Sequence, residues 1–389
     1  MFKIELMNEI AQSGLDQFKN KATFVKQNGD AILLRSASLH STDFSKSLLA
    51  IARAGIGVNN IPLEQCSSKG IVVFNTPGAN ANAVKELAIA GLLLASRDIL
   101  GGVNWVNQLT ETKDELLTIV EAKKSNFSGP ELKGKTLGVV GLGSVGVLLA
   151  NAAIALGMKV LGYDPYISIH SAWGLSSSVQ RANSFDELFS EADYLSLHVP
   201  LLDETKHLIN KKTIAKMKKG VKVFNFARAE LVDDHAMKDA LTSNKIAKYV
   251  TDFPNDATKA MINTIQIPHL GASTPESEVN CAIMAAQELL DYLENGTITH
   301  SVNFPNCSLG VCHSVSRITL LHKNVVNMVS QITSIVGKHQ LNIDTMQNVS
   351  RNQWAYTVLD VDNIVDEETL TQLSLIEDVV KVRLIKGQQ

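Results

Sequence analysis

Gly141, Gly143 and Gly146 stand in the segment GLGSVG, directly after the apolar run TLGVV and at the head of a stretch with helical periodicity. There the first glycine permits a tight turn, the second lets the backbone approach a pyrophosphate, and the third lets helix and strand pack closely. Ser144 and Val145 open the helix, whose free N–H groups attract an anion. A second apolar run, MKVLGY, ends at Asp164, 18 residues past Gly146. That is near the separation of about 20 at which a carboxylate meets a ribose hydroxyl. An acid there accepts from a 2′-hydroxyl and repels a 2′-phosphate, so the turn implies NAD rather than NADP.

Three later segments place reactive side chains where strands should end: NFAR (225–228), TDFPND (251–256) and PHLGAST (268–274). Oxidising a secondary alcohol needs a base for the hydroxyl proton while hydride departs, and histidine titrates in the right range. His269 is the candidate base. Asp256 is placed to orient its ring from a neighbouring strand end, and Arg228 offers a planar fork to a substrate carboxylate. His198 and His207 lack such neighbours, and the lysines between Lys211 and Lys219 read as a solvated helix face.

Short apolar runs (AILLR, LLAIARAG, GIVVFN) alternate with helical stretches from Ala31 to Phe74, the pattern of a parallel sheet. One long buried helix is expected over Ala83–Leu100, and the segment Glu111–Pro130 reads as polar. A second, stronger strand–helix series follows from TLGVVGLG. A helix runs from Pro275 to a stop at Gly296, then a linker, and the last 75 or so residues read strand, helix, strand, strand, helix, strand. The fold class is therefore α/β: a Rossmann nucleotide-binding lobe inserted in a flavodoxin-like lobe, both doubly wound, plus a ferredoxin-like βαββαβ domain. The expected boundaries are 1–100 with 274–303 for the substrate-binding lobe, 101–273 for the nucleotide lobe, 304–314 for the linker and 315–389 for the C-terminal domain.

Composition narrows the partners. With 36 Lys and Arg against 39 Asp and Glu, the net charge of −3 argues against nucleic acid. Cys66, Cys281, Cys307 and Cys312 lack metal-ligand spacing and read as free thiols, with no metal expected. MFKIELMNEI does not look like a signal peptide and no apolar run approaches the length of a membrane span, so a cytoplasmic protein without membrane association is expected.

The motifs ARAGIGVNN (52–60), GIVVFNTPG (70–78), LKGKTLGVVGLGSVG (132–146), YDP (163–165), HVPL (198–201), NFAR, PHLGAST and VNFP (302–305) together resemble the D-2-hydroxyacid dehydrogenase family, most closely its phosphoglycerate-oxidising branch. The resemblance covers nearly the whole chain. It implies NAD-dependent oxidation of 3-phosphoglycerate to 3-phosphohydroxypyruvate in serine biosynthesis, with Arg228 and His269 in the catalytic set. The alternatives are a hydroxypyruvate or glyoxylate reductase and a non-catalytic NADH-binding regulator. The family's catalytic Glu becomes Asp256 here, and Thr251 replaces its cofactor-contacting Asp, a role that passes to Asp252. Val199, Pro200, Phe226, Ala227 and Gly271 are implied to line the cofactor. Arg35 and Ser36, with Arg53 and Asn80, are implied to hold the phosphorylated substrate, and Lys85 stands where the family carries small residues. The last domain resembles an ACT domain. His322, Asn324 and Asn342 match its amino-acid contacts, which would make serine an effector, although Val326-Asn327 replaces the usual Pro-Gly. The resemblance also implies a homodimer or homotetramer.

Overall fold

The computed structural model describes residues 1–387. It divides into two compact units, one comprising Met1–Ala79 with Pro275 to the C-terminus, the other Asn80–Thr274.

The first unit opens with a five-stranded sheet of β1 (Phe2–Leu6), β2 (Ala22–Val25), β3 (Ala31–Leu34), β4 (Ala50–Arg53) and β5 (Val72–Phe74). All pairs are parallel and the spatial order is β2-β1-β3-β4-β5, the flavodoxin-like arrangement. β3 and β5 are buried throughout, as continuous apolar runs in a sheet covered on both faces must be. Two strands precede Ala31, where the alternating sequence pattern begins; FKIEL and ATFV are short and mix polar with apolar positions. Helix Pro275–Asn295 covers one face, burying Cys281, Ala282, Ala285, Ala286, Leu289 and Leu293 at helical spacing.

The C-terminal module follows the expected order: β13 (Ser316–Lys323), a helix (Met328–Lys338), β14 (Ile343–Arg351), β15 (Trp354–Val361), a helix (Glu367–Ser374) and β16 (Val379–Lys386). Its antiparallel sheet is ordered β14-β15-β13-β16, the ferredoxin-like plan. One face packs its own helices through Ile318, Leu320, Leu359 and Val361. The other face joins the first-lobe core, where Leu321, Tyr356 and Val358 share a cluster with Phe74, Leu289 and Tyr292. The expected linker, 304–314, is likewise packed: Phe304 and Cys307 are buried in that cluster, and Cys307 exchanges backbone hydrogen bonds of 2.9 Å with Ile298.

The second unit holds β6 (Thr136–Val140), β7 (Lys159–Tyr163), β8 (Gln180–Arg181), β9 (Tyr194–Leu197), β10 (Val221–Asn225), β11 (Ile246–Thr251) and β12 (Thr264–Gln266). The parallel order β12-β11-β10-β9-β6-β7-β8 reverses direction between β6 and β9, the point at which a doubly wound sheet opens a crevice for ligands. Helix Ala81–Ser96 belongs here, because Val84, Ala88, Leu92 and Ala95 share a core with Leu137, Val139 and Phe226. The boundary therefore falls between Ala79 and Asn80 rather than after residue 100. The helix also stops sooner than its periodicity suggests: Asp98 caps a second helix, Ile99–Asn107, by accepting from the Gly101 N–H. The polar segment conceals a further helix, Lys113–Lys123, started by a capping box between Thr112 and Glu115.

The four cysteines are free and buried. No helix among the described residues is long and apolar enough to cross a membrane.

Candidate active site

The glycine turn lies at the reversal point of the second sheet, between β6 and the helix Ser144–Ala155. Gly141 has φ +91°, and a Cβ there would stand 2.8 Å from the His198 carbonyl oxygen. A Cβ on Gly146 would lie 2.0 Å from the Gly141 oxygen, so neither position accepts a side chain. Gly143 differs: no atom comes within 4 Å of the Cβ position, which leaves its face open. It is the N-cap of a helix with no capping side chain and no acid in its first turn. Ser144, Val145 and Gly146 thus present a helix N-terminus suited to a phosphate.

Asp164, just past β7, ties the turn together. Its Oδ2 accepts from the Leu142 N–H at 2.8 Å and its Oδ1 from the Tyr166 N–H at 2.9 Å. Each carboxylate oxygen retains a lone pair for a ribose hydroxyl. The open glycine face, the uncapped helix and the half-satisfied carboxylate together fit a dinucleotide. Beside the turn, Val199 is half-buried and Pro200 accepts from Thr205 Oγ1 at 2.6 Å. Phe226 is buried, and the Ala227 N–H donates to Asn225 Oδ1 at 3.2 Å.

Arg228 and His269 are both exposed. The Arg228 carbonyl is held by Asn225 Nδ2 at 2.8 Å, and its own Nη1 rests on the Ala227 oxygen at 2.6 Å. His269 has φ +22°, a conformation fixed by its N–H bonding the oxygens of Asp252 (3.1 Å) and Ile267 (3.0 Å), and its ring packs 4.9 Å from that of Phe253.

The carboxylate facing these two residues is Asp252. It is 1% exposed; Oδ2 accepts from the Gly271 N–H at 3.3 Å, and Oδ1 has no hydrogen-bond partner among the described residues. Burial pushes its carboxyl above the usual range, while the charge of His269, the Gly271 N–H and the charge of Arg228 pull it back. Asp256 makes no such contact. It is the first residue of a short helix, Asp256–Lys259, and is exposed. No hydrogen bond or ion pair joins it to His269 among the described residues. That helix is started by a capping box at Asn255, and Asp256 is the acid of its first turn.

In the first unit, Arg35 and Ser36 begin the loop after β3. The N–H groups of Arg35, Ser36 and Ala37 converge on Asn8 Oδ1 at 3.1, 3.0 and 2.9 Å. Arg35 pairs with Glu278, and Arg53 Nε donates to the Arg35 carbonyl at 2.9 Å. No local spacing in the sequence marks Asn8 or Glu278, because their partners lie 27 and 243 residues away. Asn80 holds the N-cap position of helix Ala81–Ser96 in the other unit without a side-chain cap bond, and its buried Oδ1 lacks a partner among the described residues. Lys85 lies 3.7 Å from Glu86.

The three C-terminal residues do not come together within the chain. His322 is buried, with Nδ1 on the Lys323 oxygen at 2.7 Å and Nε2 on Thr357 Oγ1 at 2.8 Å, so both ring nitrogens are committed. Asn324 Nδ2 reaches the Asn352 oxygen at 3.3 Å. Asn342 precedes β14 at the opposite end of the sheet, where Ile343 pairs with Val361 and Val361 with Ser316.

A doubly wound sheet with a dinucleotide turn at its reversal point, joined to a His–Arg–Asp cluster at neighbouring strand ends, defines a nicotinamide-dependent dehydrogenase. Residues 90–271 match the family described as D-isomer specific 2-hydroxyacid dehydrogenase, NAD binding domain. The chain is 37% identical over 276 residues to a hydroxypyruvate reductase of Thermotoga maritima, covering 68% of this chain and 85% of that protein. It is 33% identical over 340 residues to a D-3-phosphoglycerate dehydrogenase of Methanocaldococcus jannaschii, covering 85% of this chain. The chain spans only 62% of the length of that relative. Among solved structures, the NAD+-bound 3-phosphoglycerate dehydrogenase of Entamoeba histolytica superposes with a TM-score of 0.58 at 27% identity, covering 78% of this chain and 98% of the other. The chain belongs to the NAD-dependent D-2-hydroxyacid dehydrogenase family.

Proposed function

We propose that this protein oxidises 3-phosphoglycerate to 3-phosphohydroxypyruvate with NAD, as the entry step of serine biosynthesis in the cytoplasm. The observation that carries the phosphorylated substrate is the pair Arg35 and Arg53, two neighbouring guanidinium groups beside a single carboxylate. A surplus of cationic forks suits a phosphate monoester better than a neutral hydroxyl.

Arg228 takes the substrate carboxylate in its fork. His269 accepts the proton of the 2-hydroxyl, and the imidazolium so formed is stabilised by a facing carboxylate. The burial of Asp252 and its opposition to His269 and Arg228 support it for that duty, ahead of the exposed Asp256. The cofactor supplies the hydride acceptor when bound. In reverse, His269 returns the proton to the ketone oxygen.

The C-terminal module reads as structural rather than serine-responsive, because His322 spends both ring nitrogens inside the sheet. Exposed Leu100, Val103 and Val106 on helix Ile99–Asn107 support a homo-oligomer formed through the nucleotide unit.

The test is NADH consumption with 3-phosphohydroxypyruvate beside hydroxypyruvate and glyoxylate, with and without serine, on wild type and Arg35→Ala. The phosphorylated acid should be preferred, Arg35→Ala should lose that preference selectively, and serine should have no effect. Faster turnover of an unphosphorylated acid would move the protein to the reductase reading that the Thermotoga maritima relative represents. NADH binding without turnover of any acid would favour a regulator.

A further inference from the structure

The loop after β3 and the first turn of helix Pro275–Asn295 bring together two positive charges and one negative. Arg35 Nη2 meets Glu278 Oε1 at 2.5 Å, with the two side chains 47% and 46% exposed. Arg53 lies behind Arg35: burial lowers its pKa, the neighbouring Cys281 opposes that, and the Arg35 charge adds to it. Its Nε is spent on the Arg35 carbonyl, and no acceptor bonds its terminal nitrogens among the described residues. Cys281 adds no charge, since burial pushes its thiol upward. The group carries a net charge of about +1, where the arginines alone would carry +2.

We infer that Glu278 sets the charge of this anion subsite, and through it the selectivity between doubly and singly charged substrate tails. The inference rests on the reading that Arg35 and Arg53 hold the tail of the substrate. A half-exposed ion pair is weak and opens readily, so Glu278 does not block the subsite. Its carboxylate remains beside whatever replaces it on Arg35, and it repels a phosphate dianion more than a carboxylate monoanion. Removing the charge therefore strengthens both tails, the phosphate more. The residue tempers the preference for phosphate and keeps the subsite open to dicarboxylic 2-oxo acids.

The test compares wild type, Glu278→Gln and Glu278→Asp, as the full chain, with three 2-oxo acids differing in their tails: phosphate, carboxylate and neutral hydroxyl. In Glu278→Gln, kcat/KM for the phosphate tail should rise about three- to tenfold more than for the carboxylate tail, through KM. The hydroxyl tail should stay within about twofold, and Glu278→Asp should retain the wild-type ratio. As a measurement independent of which acid is turned over, sulfate and acetate are titrated as competitive inhibitors, and their inhibition constants should move further apart in Glu278→Gln. A fall for both charged tails would make Glu278 a group that aims Arg35 and would overturn the inference. An unchanged ratio in both measurements would overturn it too. Failure of the phosphoglycerate reading shows separately, as a wild-type enzyme that prefers the hydroxyl tail.

Discussion

A buried carboxylate with one oxygen unpartnered, as at Asp252, keeps its charge only while opposite charge faces it. Arg228 supplies that charge, and His269 adds to it once it has taken the substrate proton, so the cluster is mutually dependent. His269→Ala should lower kcat by about 10²- to 10⁴-fold while NADH binding, read by fluorescence, persists. Asp252→Asn should lower kcat/KM without lowering the melting temperature, because the neutral isostere removes a costly buried charge while keeping the shape. Asp256→Asn should leave both nearly unchanged. A large loss in Asp256→Asn with none in Asp252→Asn would return the supporting role to the position favoured by the family pattern. What was legible here was local. The glycine turn and Asp164 could be found because their chemistry needs fixed spacing along the chain, and NFAR and PHLGAST because they end apolar strands. Asp252 was visible as a residue but not in its burial. Asn8 and Glu278 were hidden, since each meets its partner only after the first lobe has folded.

The helix Pro275–Asn295 shows the same limit at the scale of an element. Its apolar stripe and its stop at Gly296 could be read from the sequence, but what satisfies its last carbonyls comes from the C-terminal sheet. Arg317 donates to the Asn295 and Gly310 oxygens at 2.7 and 2.6 Å, Tyr356 Oη donates to the Gly296 oxygen at 2.6 Å, and Arg383 reaches the oxygens of Tyr292 and Leu293 at 3.2 and 3.1 Å. Cations at the negative end of a helix dipole are favourable, and these are held in place. Arg317 is fully buried and forks onto Asp360 through bonds of 2.6 and 2.8 Å. Arg317→Ala would strand the Asp360 carboxylate, which is 7% exposed, and should cost about 3–5 kcal/mol in denaturant unfolding. Adding Asp360→Leu should recover part of that loss, because the stranded charge and not the missing attraction makes up most of it. A double variant less stable than Arg317→Ala would contradict this. The elements missed in the sequence had weak local signals: β1 and β2 are short, and helix Lys113–Lys123 has no continuous apolar stripe, only a capping box to start it.

For the whole molecule, the decisive feature is that the C-terminal module lacks a core face of its own on one side of its sheet. A ferredoxin-like plan was readable from the order of apolar runs, and so was a linker. Alternation cannot tell whether the outward face of such a sheet meets water or another domain, since that face of β13 mixes Arg317 and Thr319 with Leu321 and yet all three are buried. Leu321, Tyr356 and Val358 instead complete the cluster that holds Phe74, Tyr292 and Phe304. Truncating one large core side chain costs about 2–5 kcal/mol. Losing Leu321 and Tyr356 together therefore approaches the whole stability of a domain, about 5–15 kcal/mol. A chain ending at residue 314 should thus melt its first lobe well below the intact protein and bind a hydrophobic dye, and the Asn80–Thr274 unit should keep its own transition in calorimetry. In the intact chain the first lobe and the C-terminal module should unfold in a single transition, since they share one core. A truncated chain whose first lobe melts at the wild-type temperature would show that the shared cluster contributes little, and would restore the module to an independently folding appendage.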